Sequence, residues 1–228
     1  MLKNGLGELI LEQAQKSDRF FDPFCGSAAV TWFAAMNTSN KVIAGDLQEF
    51  SMYLAKAVLL RDFPLTDKKP LMDWIELVKN KHLQNPIRIE AETQYDYVTQ
   101  SRTHCNKKRK VISKSYGGYY FSPDQAQIFD YFLDLLPSDE PYKSIAKASL
   151  ITTATKCAAS PGHTAQPFQP TNTAIKFIIE AWLRDPFIYV ERTVNELCSY
   201  HSRTVGKFYV INAQDLVSKV KEGDLIYD

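Results

Sequence analysis

Residues 20–30, FFDPFCGSAAV, limit the fold of this chain more than any other stretch. Two aromatics lead into Asp22-Pro23-Phe24, a small-residue turn Cys25-Gly26-Ser27-Ala28 follows, and Val30-Thr31-Trp32-Phe33 begins a helix-like run. A buried strand, a tight loop and a helix start account for that order. Gly26 and the small side chains of Ser27 and Ala28 let backbone N–H groups approach a ligand closely. Asp22, at the carboxyl end of the strand, is placed to reach the crevice where open α/β sheets bind ligands. A second apolar run, Val42-Ile43-Ala44-Gly45-Asp46, ends in another acid about two dozen residues later. That is the spacing at which nucleotide-binding folds place a ribose-binding carboxylate. By the residues alone, an ordinary strand–loop–helix turn of another α/β protein remains open.

The pair DPFCGS and AGDL resembles the first two cofactor motifs of the S-adenosylmethionine-dependent DNA adenine methyltransferases. Their usual pattern is an acid, Pro-Phe-x-Gly-Ser-Gly, then a strand ending in an acid. The resemblance implies an α/β, Rossmann-like methyltransferase sheet with S-adenosylmethionine as cofactor. It assigns Asp22 to the methionine end and Asp46 to the ribose, with Pro23, Phe24, Gly26, Ser27 and Leu47 around them. Lys3-Asn4-Gly5-Leu6 resembles the end of the segment that precedes the family's first strand, without its customary upstream residues, so Lys3 either completes the pocket or stands as a surface lysine. Ala28 stands where the family usually has its last glycine, and its methyl is expected to crowd the methionine end.

The last stretch restores the α/β pattern. Lys207-Phe208-Tyr209-Val210-Ile211 reads as a strand, with Asp215 at the start of a helix, and residues 224–228 read as another strand ending in Asp228. In the adenine methylases the corresponding strand ends in Asp-Pro-Pro-Tyr, so the resemblance makes Asp228 the catalytic acid and places Asp215 on the cofactor's adenine. Such a carboxylate and an adjacent backbone carbonyl orient a poorly nucleophilic exocyclic amino group by positioning and electrostatics. The base itself must be flipped out of the duplex to reach them. No metal is called for. About four of the family's seven strands are legible. A second polypeptide, or further chain, is therefore expected to supply Pro-Pro-Tyr and the remaining strands.

Between these ends lies a mainly helical insertion. The expected division is a cofactor-binding part of the core at 1–61, an insertion at 62–203 that contacts double-stranded DNA, and a return to the core at 204–228. In 48–61, Phe50, Tyr53, Leu54, Ala57 and Val58 form an amphipathic helical pattern, each aromatic serving as core packing. The acid-x-x-x-aromatic spacing also suits a helix beside a bound adenosine. The polar stretch 95–114 ends in Lys107-Lys108-Arg109-Lys110, a run that suits either phosphate contacts or a solvated loop. Ser122-Pro123 reads as an N-cap with proline at the first helical position. Residues 159–170 hold too many turn formers for a helix or central strand, and offer His163 and Gln166 for base edges or backbone. Against this, a proline-rich connection between helices has comparable weight.

A net charge of +1 leaves any nucleic-acid contact to a local patch. Four cysteines without a C-x-x-C pair, and no close His–His spacing, argue against a zinc site and for reduced thiols in the cytoplasm. No apolar run approaches membrane-spanning length. The competing class is a non-catalytic subunit that binds cofactor or DNA within a methyltransferase-related complex. An unrelated dinucleotide-binding oxidoreductase is disfavoured, because the loop lacks G-x-G-x-x-G.

Overall fold

A computed structural model describes residues 5–162 and 166–227. In chain order the elements are α1 (Gly7–Ala14), β1 (Arg19–Asp22), α2 (Ala29–Asn37), β2 (Lys41–Asp46), α3 (Glu49–Leu59), α4 (Lys69–Leu83), α5 (Gln94–Asn106) and α6 (Val111–Ser115). They continue as α7 (Pro123–Asp134), α8 (Tyr142–Cys157), α9 (Ile175–Trp182), α10 (Pro186–Ser199), β3 (Lys207–Val210), α11 (Ala213–Val217) and β4 (Leu225–Ile226). The chain forms two compact units. One comprises Met1–Lys68, Ser138–Ala148 and Val194–Asp228, the other Lys69–Pro137 and Ser149–Thr193.

The first unit is mixed α/β. Its four strands form one parallel sheet in the order β3-β2-β1-β4. Phe20 and Phe21 pair with Val42 and Ile43 in register, and alternation along the strands sends neighbouring side chains to opposite faces. On one face Phe21 and Ile43 bury against Leu216 of α11, with Tyr209, Ile211 and Val220 around them. β4 is short but held firmly. Arg19 at the start of β1 makes a bidentate pair with Asp224, Nε to Oδ1 at 2.8 Å and Nη2 to Oδ2 at 2.5 Å. That guanidinium keeps the Asp224 carboxyl below its ordinary range. Beyond the strand, the Tyr227 N–H donates to the Phe21 carbonyl at 2.8 Å. A buried arginine, Arg61, fastens the end of α3 by donating to the carbonyls of Ala57, Leu197 and Tyr200.

Helices make up the second unit. Trp74 of α4 packs on Phe132 of α7 with ring centroids 4.7 Å apart and planes tilted by 59°, and its indole N–H donates to the Phe132 carbonyl. α7 opens with a full capping box: the Ser122 hydroxyl accepts the Gln125 N–H, and the Gln125 side chain accepts the Ser122 N–H. A second cluster gathers Val98 of α5, Ala159, and Ile178, Ala181 and Trp182 of α9. The helix α5 occupies a polar stretch that carries no apolar helical pattern. It is capped by Thr93, which accepts the Asp96 N–H at 3.1 Å, and it buries Val98, Ser101 and Cys105. Small residues make its inward stripe, so hydrophobic periodicity does not reveal it. No helix among the described residues is long and apolar enough to cross a membrane.

Candidate active site

The carboxyl ends of β1 and β2 come together through the loop between β1 and α2. At its start the Cys25 N–H donates to the Gly45 carbonyl at 3.0 Å, and the Gly26 N–H donates to Asp46 Oδ2 at 2.9 Å. Asp46 also accepts the Gln48 N–H on Oδ1 at 2.9 Å, at the entrance to α3. Gly26 takes a φ of +51°, which its missing side chain allows without strain. Ala28 takes a φ of +63° and does not share that freedom.

Ala28 is 0% exposed, as buried as Asp22, and its methyl packs inside the turn. At a positive φ that methyl loads the backbone of the turn.

Asp22 is 1% exposed. Its Oδ2 accepts the Thr31 hydroxyl at 2.6 Å, and its Oδ1 is buried without a hydrogen-bond partner. Burial raises the Asp22 pKa. The Thr31 bond is the main effect opposing this, the nearby Phe24 N–H pulls the same way without bonding geometry, and the charge of Asp46 adds to the rise. Cys25, buried beside them, has its thiol pushed up to about 12, chiefly by desolvation.

Around this core the remaining predicted cofactor residues divide by exposure. Pro23 is buried, Ser27 is exposed, and Phe24 and Leu47 are 65% and 70% exposed, high for residues of their size. A cavity of about 460 Å³ opens between Pro23, Phe24, Ala213, Gln214, Val217 and Ile226. It lies where the loop after β1, the helix α11 and the end of β4 meet, and its volume falls in the range of small-molecule sites. Asp215, exposed in the first turn of α11, neighbours the lining residue Gln214. Phe50, read as core packing, is 44% exposed instead. Tyr53 is half-buried, with the Lys147 ammonium 3.9 Å from its ring centroid. Lys3 and Asp228 lie outside the described residues.

The buried orphan oxygen of Asp22 and the adjoining cavity mark the carboxyl ends of β1 and β2 as the candidate site. A model of the D12 class N6 adenine-specific DNA methyltransferases matches residues 3–122, more than half of the chain. The chain belongs to that family. The match of this D12-class chain covers β1, β2 and the loop between them, and extends through α6 to the cap of α7. Adenine-specific DNA methylation is the activity of the class, and D12 enzymes are generally S-adenosylmethionine-dependent. No curated protein and no solved structure matches the chain.

The basic run of the D12-class chain sits in the second unit, between α5 and α6. Lys107 is the C-cap of α5 and Lys110 the N-cap of α6. Lys107 and Arg109 are exposed and Lys108 is half-buried. Lys110 forms a salt bridge to both oxygens of Asp134, at 2.6 and 2.7 Å, which neutralises much of its charge. Gln166 is exposed, and His163 lies outside the described residues. Two groups escaped the sequence reading. Thr31 was signalled only by being the sole polar residue in the first turns of an apolar helix. Arg102, stacked 4.5 Å from the Tyr119 ring centroid, carried no signal. Among the described residues no group of three or more His, Cys, Asp or Glu side chains is arranged to hold a metal ion.

Proposed function

We propose that this chain binds S-adenosylmethionine at the carboxyl ends of β1 and β2 and transfers its methyl group to the exocyclic amino group of an adenine turned out of double-stranded DNA. The observation that carries this is the Gly26–Asp46 hydrogen bond beside buried Asp22, which joins the two predicted cofactor motifs into one site. The cofactor, when bound, supplies an electrophilic sulfonium methyl. Asp46 faces the ribose hydroxyls, Phe24 and Leu47 offer apolar cover for the nucleoside, and Asp215 accepts from the adenine amino group. Asp22 provides negative charge toward the cationic methionine end. Tyr227 follows β4 and bonds to Phe21 of β1, and Asp228 is the next residue in the sequence. Its carboxylate accepts an N–H of the target amino group, orients the nitrogen lone pair and takes the proton released on transfer.

Lys107, Lys108 and Arg109 contact DNA phosphates, with Gln166 and His163 as further contacts. On the sheet, β4 is an edge strand among the described residues. We propose that a second polypeptide pairs there and completes a seven-stranded Rossmann-like sheet, since open edges are normally paired or covered. A stable monomer with one cooperative melt would argue against that partner.

Calorimetric titration with S-adenosylmethionine, with NAD as control, tests the cofactor reading. Binding of the first alone is expected; binding of neither, alone or after adding the proposed partner, overturns it. Methylation of an adenine-containing duplex is expected to disappear with Asp228→Ala. Activity surviving that change places the chemistry elsewhere.

A further inference from the structure

We propose that Thr31 is a positioning residue for the cofactor site: its hydroxyl fixes the buried Asp22 carboxylate, leaving one oxygen of that carboxylate as an acceptor at the end of β1. The inference rests on the reading that Asp22 serves the cofactor, and it extends that reading to a residue outside both motifs.

Thr31 is 0% exposed and lies in the first turn of α2. A buried hydroxyl is costly unless it is hydrogen-bonded, and valine would fill the same volume without that cost. Thr31 has two neighbours, Asp22 Oδ2 at 2.6 Å and Cys25 Sγ at 3.3 Å, and a single proton to give. The shorter contact to the carboxylate takes it, because hydrogen bonds to a charged acceptor are the stronger ones. The Cys25 thiol, kept neutral by burial, is the weaker second contact of that hydroxyl. Asp22 at the end of β1 and Thr31 in the first turn of α2 are thus joined directly.

The charged and titratable groups acting on Asp22 are Asp46, from the end of β2, and Cys25 within the loop. Neither stabilises a carboxylate. Against burial and a like charge, Thr31 is the main side chain favouring the ionised form. Removing the hydroxyl would let Asp22 take up a proton at higher pH and rotate, and a neutral, misaligned acid cannot hold a cationic ligand end.

The experiment uses the full chain as wild type, Thr31→Val, Thr31→Ser and Asp22→Asn. S-adenosylmethionine affinity is measured by calorimetry from pH 5 to pH 8. Carboxyl carbon NMR, with Asp22 identified by its loss in Asp22→Asn, follows the titration without any ligand. Thr31→Val is expected to weaken binding about tenfold at neutral pH, the effect of losing one hydrogen bond to a charged group. Its acid limb of binding and its Asp22 titration should both move to higher pH, and Thr31→Ser should return both toward wild type. In Asp22→Asn the further change to valine should add nothing. An unmoved Asp22 titration in Thr31→Val, with wild-type binding intact, overturns this inference alone. Absence of binding by wild type at every pH sinks the cofactor reading and the positioning role with it. If the valine variant does not fold, Thr31→Ala carries the same comparison.

Discussion

Gly26 donates its backbone N–H to Asp46 Oδ2, which ties the loop after β1 to the acid at the end of β2. A single carboxylate therefore shapes the turn and is also the proposed ribose contact. Disturbing either residue should be felt at both places.

Asp46→Ala removes the acceptor for the Gly26 and Gln48 N–H groups along with the proposed ribose contact. One charged hydrogen bond is worth roughly 1.5–3 kcal/mol. Calorimetry should therefore show S-adenosylmethionine binding at least tenfold weaker, while circular dichroism reports an intact fold. Unchanged affinity would remove the ribose assignment.

At Ala28 two effects oppose each other. Glycine would relieve a left-handed conformation costing an alanine roughly 1–2 kcal/mol. It would also remove a buried methyl worth about 1 kcal/mol. These nearly cancel, so Ala28→Gly should keep its melting temperature within about 4 °C of wild type. Ala28→Val puts a β-branched residue at positive φ and should lower it by clearly more. Thermal melts of the two variants decide whether the strained turn is real.

His82 in the second unit tests the electrostatics of the helical part. Its Nε2 lies 3.3 Å from Asp124 Oδ2, and that hydrogen bond raises its pKa above the ordinary 6.5, with burial opposing. A raised folded-state pKa gives stability that is fully present below the unfolded value and lost as pH rises through the folded one. Asp124 is about half exposed, so the contribution should stay below about 1 kcal/mol. Denaturant melts should find Asp124→Asn less stable than wild type at pH 5.5, with the gap closing by pH 8.5. A gap that widens with pH would contradict the pairing.

The basic run should behave unevenly in DNA binding. Neutralising Lys107, Lys108 and Arg109 together should weaken binding and reduce the salt slope by up to about 0.9 for each phosphate no longer neutralised. Lys110→Ala should change the slope little, because Asp134 already pairs with that ammonium. Equal effects from all four residues would mean that the Lys110–Asp134 bridge opens when DNA binds.

β1 and β2 were legible because each is a short apolar run ending in an acid, a pattern that burial on both sheet faces demands. β3 and β4, half-exposed, were legible because each is a short run of strand-forming residues bounded by turn residues. Ser122-Pro123 was legible for a similar reason, since capping chemistry is local and written in two adjacent residues. What escaped depends on neighbours remote in sequence. Nothing local says that Lys110 faces Asp134, that Thr31 turns toward Asp22, or that Phe50 is left open to solvent. The α5 helix escaped because Ser101 and Cys105, small and polar or weakly apolar, fill an inward stripe usually made of larger side chains.

The sheet order also bears on how this chain is made. β1 and β2 leave the ribosome together, but β3, which pairs with β2, follows about 160 residues later. At roughly 5–20 residues per second that is a wait on the order of ten to thirty seconds. During it both flanks of a strongly apolar pair lack their neighbours, while the helical segments between them emerge and can pack first. Bringing in β3 and β4 across so long a span is intrinsically slow. The cell therefore meets this protein first as an unfinished sheet, and the interval before β3 arrives is when chaperone protection would matter most.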